Sequence, residues 1–561
     1  MNRQRNLKLT LVCVGIFILA CAIIVKLVCL QIIAGSRFTK IAASQHTYVV
    51  ELPGRRGDVF DSQGVTLAST MPSYSLYALP KKISDKDNMS TRLSQITGVP
   101  RDRILDRLNR DKSFVWIKRQ LNKSERQSIE DMGLDCVGFI KEPKRFYPQE
   151  ELACQVLGIV DIDNKGLEGL ELNFDEFLRA KQGKAILLRD SHGRVLPLYK
   201  ELIYPRDGFN LVLNIDSHIQ HWASFFLGQT VEETKAKGGS VVVLNPQDGR
   251  VLALCNWPKF DPNQFLDFPR QNFRNKAVVD FYEPGSVFKV VTLVAALAEK
   301  PGLERESFFC EEGELKIPGS TLHDWKKFGT LSFQDVFKNS SNIGVAKVAN
   351  AVGDKIISKY MNIMGFGRLT GIDLPTETSG FVKPLASWSK TSRFIMPIGQ
   401  EVCVSLLQLA RAFSIVANGG YLIKPYIVDK IVDNKGVVIK DFKPRIESRV
   451  LPESVADKAK QILWKVVEEG TGRRAKIEGI NIAGKTGTSQ KIEPSGGYSH
   501  RDFYATFVGF FPVEDPRYVI AVVVDEPRTY YYGGMVAAPL FRNIAQKIVE
   551  YKNLIKVESR E

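Results

Sequence analysis

The chain has 561 residues, 44% hydrophobic and 25% charged, a globular composition too long for one compact core, so two or three domains are expected. Its 77 basic and 62 acidic residues leave a net charge of +15. That excess does not predict nucleic-acid binding. In the most basic stretch, 101–145, Arg103, Arg107, Arg110 and Lys112 alternate with Asp102, Asp106 and Asp111, as on a solvated helix face, and no zinc-finger spacing or RNP-like aromatic motif accompanies them.

The first predicted element is a membrane span. Residues 9–30 are apolar except for Lys26 and would cover about 33 Å as a helix, enough for a bilayer, with Lys26 reaching toward the far interface. Arg3, Arg5 and Lys8 precede it, so residues 1–8 are expected in the cytoplasm and the rest of the chain outside. "ILAC" at 18–21 resembles a lipoprotein cleavage site at Cys21, but the apolar run continues well past it, unlike a short signal segment. Outside the span, Cys136, Cys154, Cys255, Cys310 and Cys403 are scattered and odd in number, which predicts single thiols and neither a disulfide scaffold nor a metal cage.

Residues 36–200 mix short β-rich pieces with helix-like stretches and carry no repeat. A second domain, 238–550, opens with two β-rich runs, Ser240–Leu244 and Arg250–Cys255, around the turn cluster "NPQDG", which predicts a hairpin. "YATFVGFFP" (504–512) and "RYVIAVVVDEP" (517–527) read as two more strands, and "LFRNIAQKIVEYKNLI" (540–555) as a closing amphipathic helix. Strands from both ends with helices between them predict an α+β fold, an antiparallel sheet covered by helices.

Inside this domain "YEPGSVFKV" (282–290) places a serine and a lysine three residues apart where an apolar helix begins. Ser286 is expected at the helix start, where free N–H groups favour negative charge, and Lys289 on the same face as a buried, neutral base. Ser340-Ser341-Asn342 and Lys485-Thr486-Gly487-Thr488 complete a set, since Ser-x-x-Lys with Ser-x-Asn and Lys-Thr-Gly marks the penicillin-binding proteins and β-lactamases. The Ser340 hydroxyl can relay a proton between Lys289 and a leaving amine. The Asn342 amide can bind a peptide bond, and Lys485, Thr486 and Thr488 a carboxylate. Gly487 lets a strand approach an extended substrate, and the N–H groups of Ser286 and Thr488 are an oxyanion pair. Gly479, Gly484, Lys485 and Thr486 also fit a phosphate loop, but the following "SQKIEPSGGYSH" reads as a loop where that motif needs a helix. His218 and His221 are one turn apart without a third metal ligand.

On these motifs the chain resembles the class B penicillin-binding proteins, and among them the division-specific peptidoglycan D,D-transpeptidases of the penicillin-binding protein 3 type. "RRGDVFDSQGVTLA" (55–68) is similar to the family's Arg-Gly-x-Ile-x-Asp-x-x-Gly segment just outside the membrane, and "RFYPQEELACQVLGIV" (145–160) and "GLEGLE" (166–171) are similar to family segments that tie the N-terminal module to the catalytic domain. Asp61 and Gly64 match, while Ser62 replaces a usual arginine. The resemblance implies a serine β-lactamase-like transpeptidase domain, a pedestal or dimerisation-type module over 36–200, and a single-pass inner-membrane protein at the septum. It implies catalysis by Ser286, Lys289 and Ser340, substrate binding by Asn342, Lys485, Thr486, Gly487 and Thr488, and no cofactor or metal. Its implied partners are stem peptides ending in D-Ala-D-Ala, β-lactams, a membrane glycan polymerase and other division proteins, with no nucleic acid. The elongation-specific paralogue shares every catalytic motif and stays open. A β-lactamase would need a Glu-x-x-x-Asn element to activate water, which has no well-placed counterpart here.

Overall fold

The computed structural model describes residues 2–38, 47–189, 195–493 and 496–554, which fall into two compact units. The first comprises the residues up to Arg55 together with Ala180–Asp207. Its helix Asn2–Val28 continues as a π-helical turn over Cys29–Ile33. Arg5–Ile33 is long and apolar enough to cross a membrane, with a window of mean hydropathy 3.0. A helix suits that role because it bonds its backbone polar groups internally. Three antiparallel strands, Thr47–Leu52, Gly183–Arg189 and Val195–Ile203, form a sheet with Gly183–Arg189 in the middle.

The second unit joins Arg56–Arg179 to the described residues from Gly208 onward. In its N-terminal part three segments close on one carboxylate. Arg56 Nε donates to Glu171 Oε2 and Arg145 Nε to Glu171 Oε1, each at 2.7 Å, with all three side chains at most 2% exposed. Arg56 also pairs with Asp175 at 2.6 Å, and Arg145 Nη1 donates to the Gly57 carbonyl. The similar segments quoted above are thus clipped to each other by buried charge. Asp61 accepts from the N–H groups of Gln63 and Val65 through one oxygen and from Ser217 N through the other. Gly64, at φ +84°, closes that turn in the left-handed region. A seven-stranded sheet runs through this part in the order Val438–Asp441, Val428–Val432, Asn210–Leu213, Val59–Phe60, Thr66–Ala78, Val115–Leu121, and Val137–Phe146 pairs with Thr66–Ala78.

The predicted hairpin and terminal strands form a five-stranded antiparallel sheet. Its strands are β1 (Gly238–Leu244), β2 (Val251–Trp257), β3 (Ala483–Ile492), β4 (Tyr498–Phe511) and β5 (Tyr518–Asp525), in the order β2-β1-β5-β4-β3. Alternation along β1 sends Val241 and Val243 to one face and Val242 and Leu244 to the other. The first face packs against helices α1 (Ser217–Thr234) and α6 (Gly533–Tyr551). The second packs against α5 (Leu406–Ala417), and the same apolar core extends to α2 (Lys289–Glu299) and α4 (Asn342–Val352). Every residue of α5 is buried, and a Ser405–Gln408 capping box starts it. Helices on both faces explain why the strands are nearly continuous apolar runs.

Two expectations shift. The stretch after Thr488 is not all loop: β3 continues to Ile492 and β4 begins at Tyr498, because Gln490 and Ile492 pair with Phe503 and Tyr498. Residues 494 and 495 of the predicted loop, and Ile555 of the predicted closing helix, lie outside the described residues. The closing helix starts at Gly533, seven residues early, and carries Pro539 inside it. All eight cysteines are free thiols.

Substituting Glu171→Gln leaves two buried guanidiniums short of a counter-charge. The urea midpoint of the detergent-solubilised protein should fall by the equivalent of about 3 kcal/mol or more; an unchanged midpoint would remove the clip from the account of stability.

Candidate active site

Ser286 lies on a 3-10 turn, Gly285–Phe288, that runs directly into α2. Its side chain is half-buried, lines a cleft of about 650 Å3, and its hydroxyl has no hydrogen-bond partner among the described residues. Lys289, one turn on, is fully buried. Its amine donates to Ser340 O at 2.7 Å, Asn342 Oδ1 at 2.7 Å and Ser340 Oγ at 3.2 Å. Burial pushes this amine down to about 7, against a weaker upward pull from Asp324.

The Ser-Ser-Asn segment is a corner between helices α3 (Phe333–Lys338) and α4. Ser340 stands at φ +58°, in the left-handed position where a glycine usually ends a helix. The N–H groups of Ser340 and Ser341 close the last turn on the carbonyls of Phe337 and Val336. Ser341 then caps α4, its Oγ accepting from Gly344 N at 2.8 Å. Asp324 holds the corner from outside. It accepts from Ser341 Oγ at 2.7 Å, from Ile343 N at 3.2 Å and from Asn342 N. Asn342 Nδ2 donates to His323 O, so both ends of this amide serve the protein as well as the cleft it lines.

β3 is an outer strand of the sheet, and the Ser286 turn docks against it. A Cβ on Gly487 would meet Val287 Cγ2 at 2.7 Å and Pro284 O at 2.8 Å, and one on Gly285 would meet Thr488 O at 2.7 Å. The close approach that Gly487 permits in this structure is therefore to the turn that carries Ser286. Lys485, 1% exposed, donates to Ser340 Oγ at 2.7 Å and Thr486 O at 3.2 Å. Burial and the neighbouring Lys289 amine hold it well below the usual lysine range. One hydroxyl, Ser340 Oγ, is thus shared by two buried amines. Thr486 Oγ1 lies 2.9 Å from Thr471 Oγ1, and Thr488 Oγ1 accepts from Gly533 N at the head of α6.

Ser286, Ser340, Asn342, Thr486, Gly487 and Thr488 line the cleft, while Lys289 and Lys485 are off its wall and reach it through Ser340. Sequence reasoning missed Asp324, which no local pattern marks, and the cleft residues Glu283, Trp325, Thr471, Arg473, Arg474 and Phe503. The cleft residues Tyr531 and Tyr532 carried a visible signal, the run "YYYGG" at 530–534. The phosphate-loop alternative fails on geometry: Gly484, Lys485 and Thr486 are mid-strand, where backbone N–H groups are not gathered into an anion cradle. His218 and His221 sit on α1, His218 packed 5.1 Å from the ring of Tyr551 and His221 6.4 Å from Phe225.

Because position 340 is left-handed, Ser340→Gly should keep or raise stability while deleting the shared hydroxyl. Acylation by penicillin should slow by about a hundredfold or more. Stopped-flow labelling beside a melting curve checks both; a fast, stable variant would show the hydroxyl to be dispensable.

Residues 239–546 match the family model for the penicillin binding protein transpeptidase domain, and 51–213 that for the penicillin-binding protein dimerisation domain. The chain is 33% identical over 550 residues to the probable peptidoglycan D,D-transpeptidase PenA of Neisseria meningitidis, covering 96% of this chain and 92% of that one. It is 30% identical over 553 residues to the peptidoglycan D,D-transpeptidase FtsI of Escherichia coli, covering 96% and 91%. To stage V sporulation protein D of Bacillus subtilis it is 31% identical over 524 residues, covering 92% and 81%. Among solved structures, penicillin binding protein 3 from Mycobacterium tuberculosis complexed with aztreonam superposes with TM-score 0.70 at 27% identity, covering 90% and 98%.

Proposed function

Since the chain belongs to the class B penicillin-binding proteins, we propose that it is a peptidoglycan D,D-transpeptidase of septal wall synthesis that works through an acyl-enzyme on Ser286. The observation that carries the chemistry is the buried Lys289 amine, poised at about 7, one turn from a cleft-lining serine and bonded to Ser340. A neutral amine has two N–H bonds, which its two 2.7 Å acceptors can use, and one lone pair. That lone pair takes the Ser286 proton as Oγ attacks the penultimate D-alanine carbonyl. The N–H groups of Ser286 and Thr488 stabilise the oxyanion. When the C–N bond breaks, Ser340 passes its proton to the departing D-alanine nitrogen and is resupplied by the Lys289 ammonium. The ester then acylates an amine of a neighbouring strand by the same relay reversed. A β-lactam enters the first half of this cycle, but its leaving amine stays tethered and blocks the second.

The N-terminal helix fits a single-pass anchor, with Arg3, Arg5 and Lys8 keeping its start in the cytoplasm. The septal assignment rests on the resemblance of the motif wording to the division-specific class, with a membrane glycan polymerase as the expected partner; a fluorescent fusion along the lateral wall instead of the septum would transfer the role to elongation.

Two measurements test the chemistry. Ser286→Ala should abolish covalent labelling by fluorescent penicillin in a folded protein, and peptide mapping of the wild type should find the adduct on Ser286; an adduct elsewhere ends this reading. The wild-type acylation rate should rise with pH and level off above about 7, because only the neutral amine accepts the proton. Below that point it should fall about tenfold per pH unit; a flat profile between pH 5 and 8 would exclude Lys289 as the base.

A further inference from the structure

A substrate that ends in a carboxylate needs a positive charge in reach, and the sequence offered Lys485. In the structure that amine is buried, bonded to Ser340 Oγ and Thr486 O, and does not line the cleft. Among the described residues the charged side chains on the cleft wall are Glu283, Arg473 and Arg474. They stand at opposite ends. Tyr498, which pairs with Ile492 at the far end of β3, donates to Glu283 at 3.2 Å. The arginines follow Thr471, whose hydroxyl meets that of Thr486 at 2.9 Å, and so flank the Lys485–Thr486 end.

Their backbone is built in, while their side chains are free to reach out. Gly472 N donates to Val466 O and Ala475 N to Gly472 O, each at 2.9 Å, and Ala475 is buried. Both arginines are exposed. Arg473 uses one donor on the Glu469 carbonyl, and the Arg474 guanidinium has no hydrogen-bond or ion-pair partner among the described residues. A guanidinium presents five N–H donors in a planar fork that matches a carboxylate, and stays charged where a buried amine does not.

We propose that Arg473 and Arg474 are further carboxylate-recognition residues of the cleft, acting beside the Thr486 and Thr488 hydroxyls that also line it, capturing the terminal carboxylate of the stem peptide or the equivalent carboxylate of a β-lactam and so setting the scissile carbonyl over Ser286. Lys485 then acts inward, on the Ser340 hydroxyl, and the cleft is polarised along β3 from an acidic to a basic end. This rests on the acyl-transfer reading of the site and adds the element that selects its substrate.

The test uses the full-length protein in detergent, with benzylpenicillin and its uncharged methyl ester as probes. For R473Q/R474Q the second-order acylation rate with the free acid should fall ten- to a hundredfold, while the rate at saturation changes less than twofold. The methyl ester should acylate wild type and variant equally, and R473K/R474K should recover part of the loss. Equal losses for acid and ester, or no loss with the acid, overturn the proposal. Either result leaves the acyl-enzyme reading intact as long as the adduct maps to Ser286, and failure of that mapping in the wild type would condemn the reaction itself.

Discussion

Two lysine amines are buried around one hydroxyl, and the rest of the site is arranged to make that arrangement tolerable. Among the described residues neither amine has a carboxylate directly on it. Lys289 reaches a carbonyl, an amide oxygen and Ser340 Oγ, and Lys485 reaches the same Oγ and a carbonyl. Neutral acceptors stabilise an ammonium less than a carboxylate does, so burial dominates and the proton becomes easy to remove. Asp324 is close enough to oppose that trend but spends its oxygens on Ser341 and on the N–H groups of Asn342 and Ile343. Its negative charge thereby fixes the corner without cancelling the effect of burial on Lys289.

The fold supplies this geometry from distant parts of the chain. Lys289 lies 51 residues from Ser340, and Lys485 lies 145. The sheet's outer strand carries one amine, the helix behind Ser286 carries the other, and a helix–helix corner places the hydroxyl between them. Serine at a left-handed position is locally unfavourable by roughly 1 kcal/mol or more, and a glycine there would be relaxed. The conformation persists because the Ser341 cap and Asp324 hold both sides of it.

What was legible in the sequence was local. The hairpin at 238–258 has two β-rich apolar runs around a turn cluster, and the three motifs are contiguous, so neighbours alone reveal them. The early start of α6 was hidden because Gly533-Gly534 and Pro539 read as breakers. In the structure the glycine is required, since a Cβ on Gly533 would meet Gly487 O at 2.1 Å. Asp324, Arg473 and Arg474 carry no periodicity of their own and acquire meaning only when tertiary packing brings their loops to the cleft. The place of Lys485 off the wall is likewise a property of depth, which no spacing encodes.

The seven-stranded sheet has a consequence for how the protein is made. Val59–Phe60 pairs in parallel with Leu211–Val212, and Asn210–Leu213 in turn pairs with Val428–Val432. Synthesis proceeds from the N-terminus, so Val59–Phe60, paired early with Thr66–Ala78, waits through about 150 residues for its second neighbour, and that neighbour through more than 200 for the next. Until then open strand edges face the surroundings, and the long loops to be closed make folding slow. The pairing order therefore makes the interval before Val428–Val432 emerges the one in which an unpaired strand edge is exposed to mispairing.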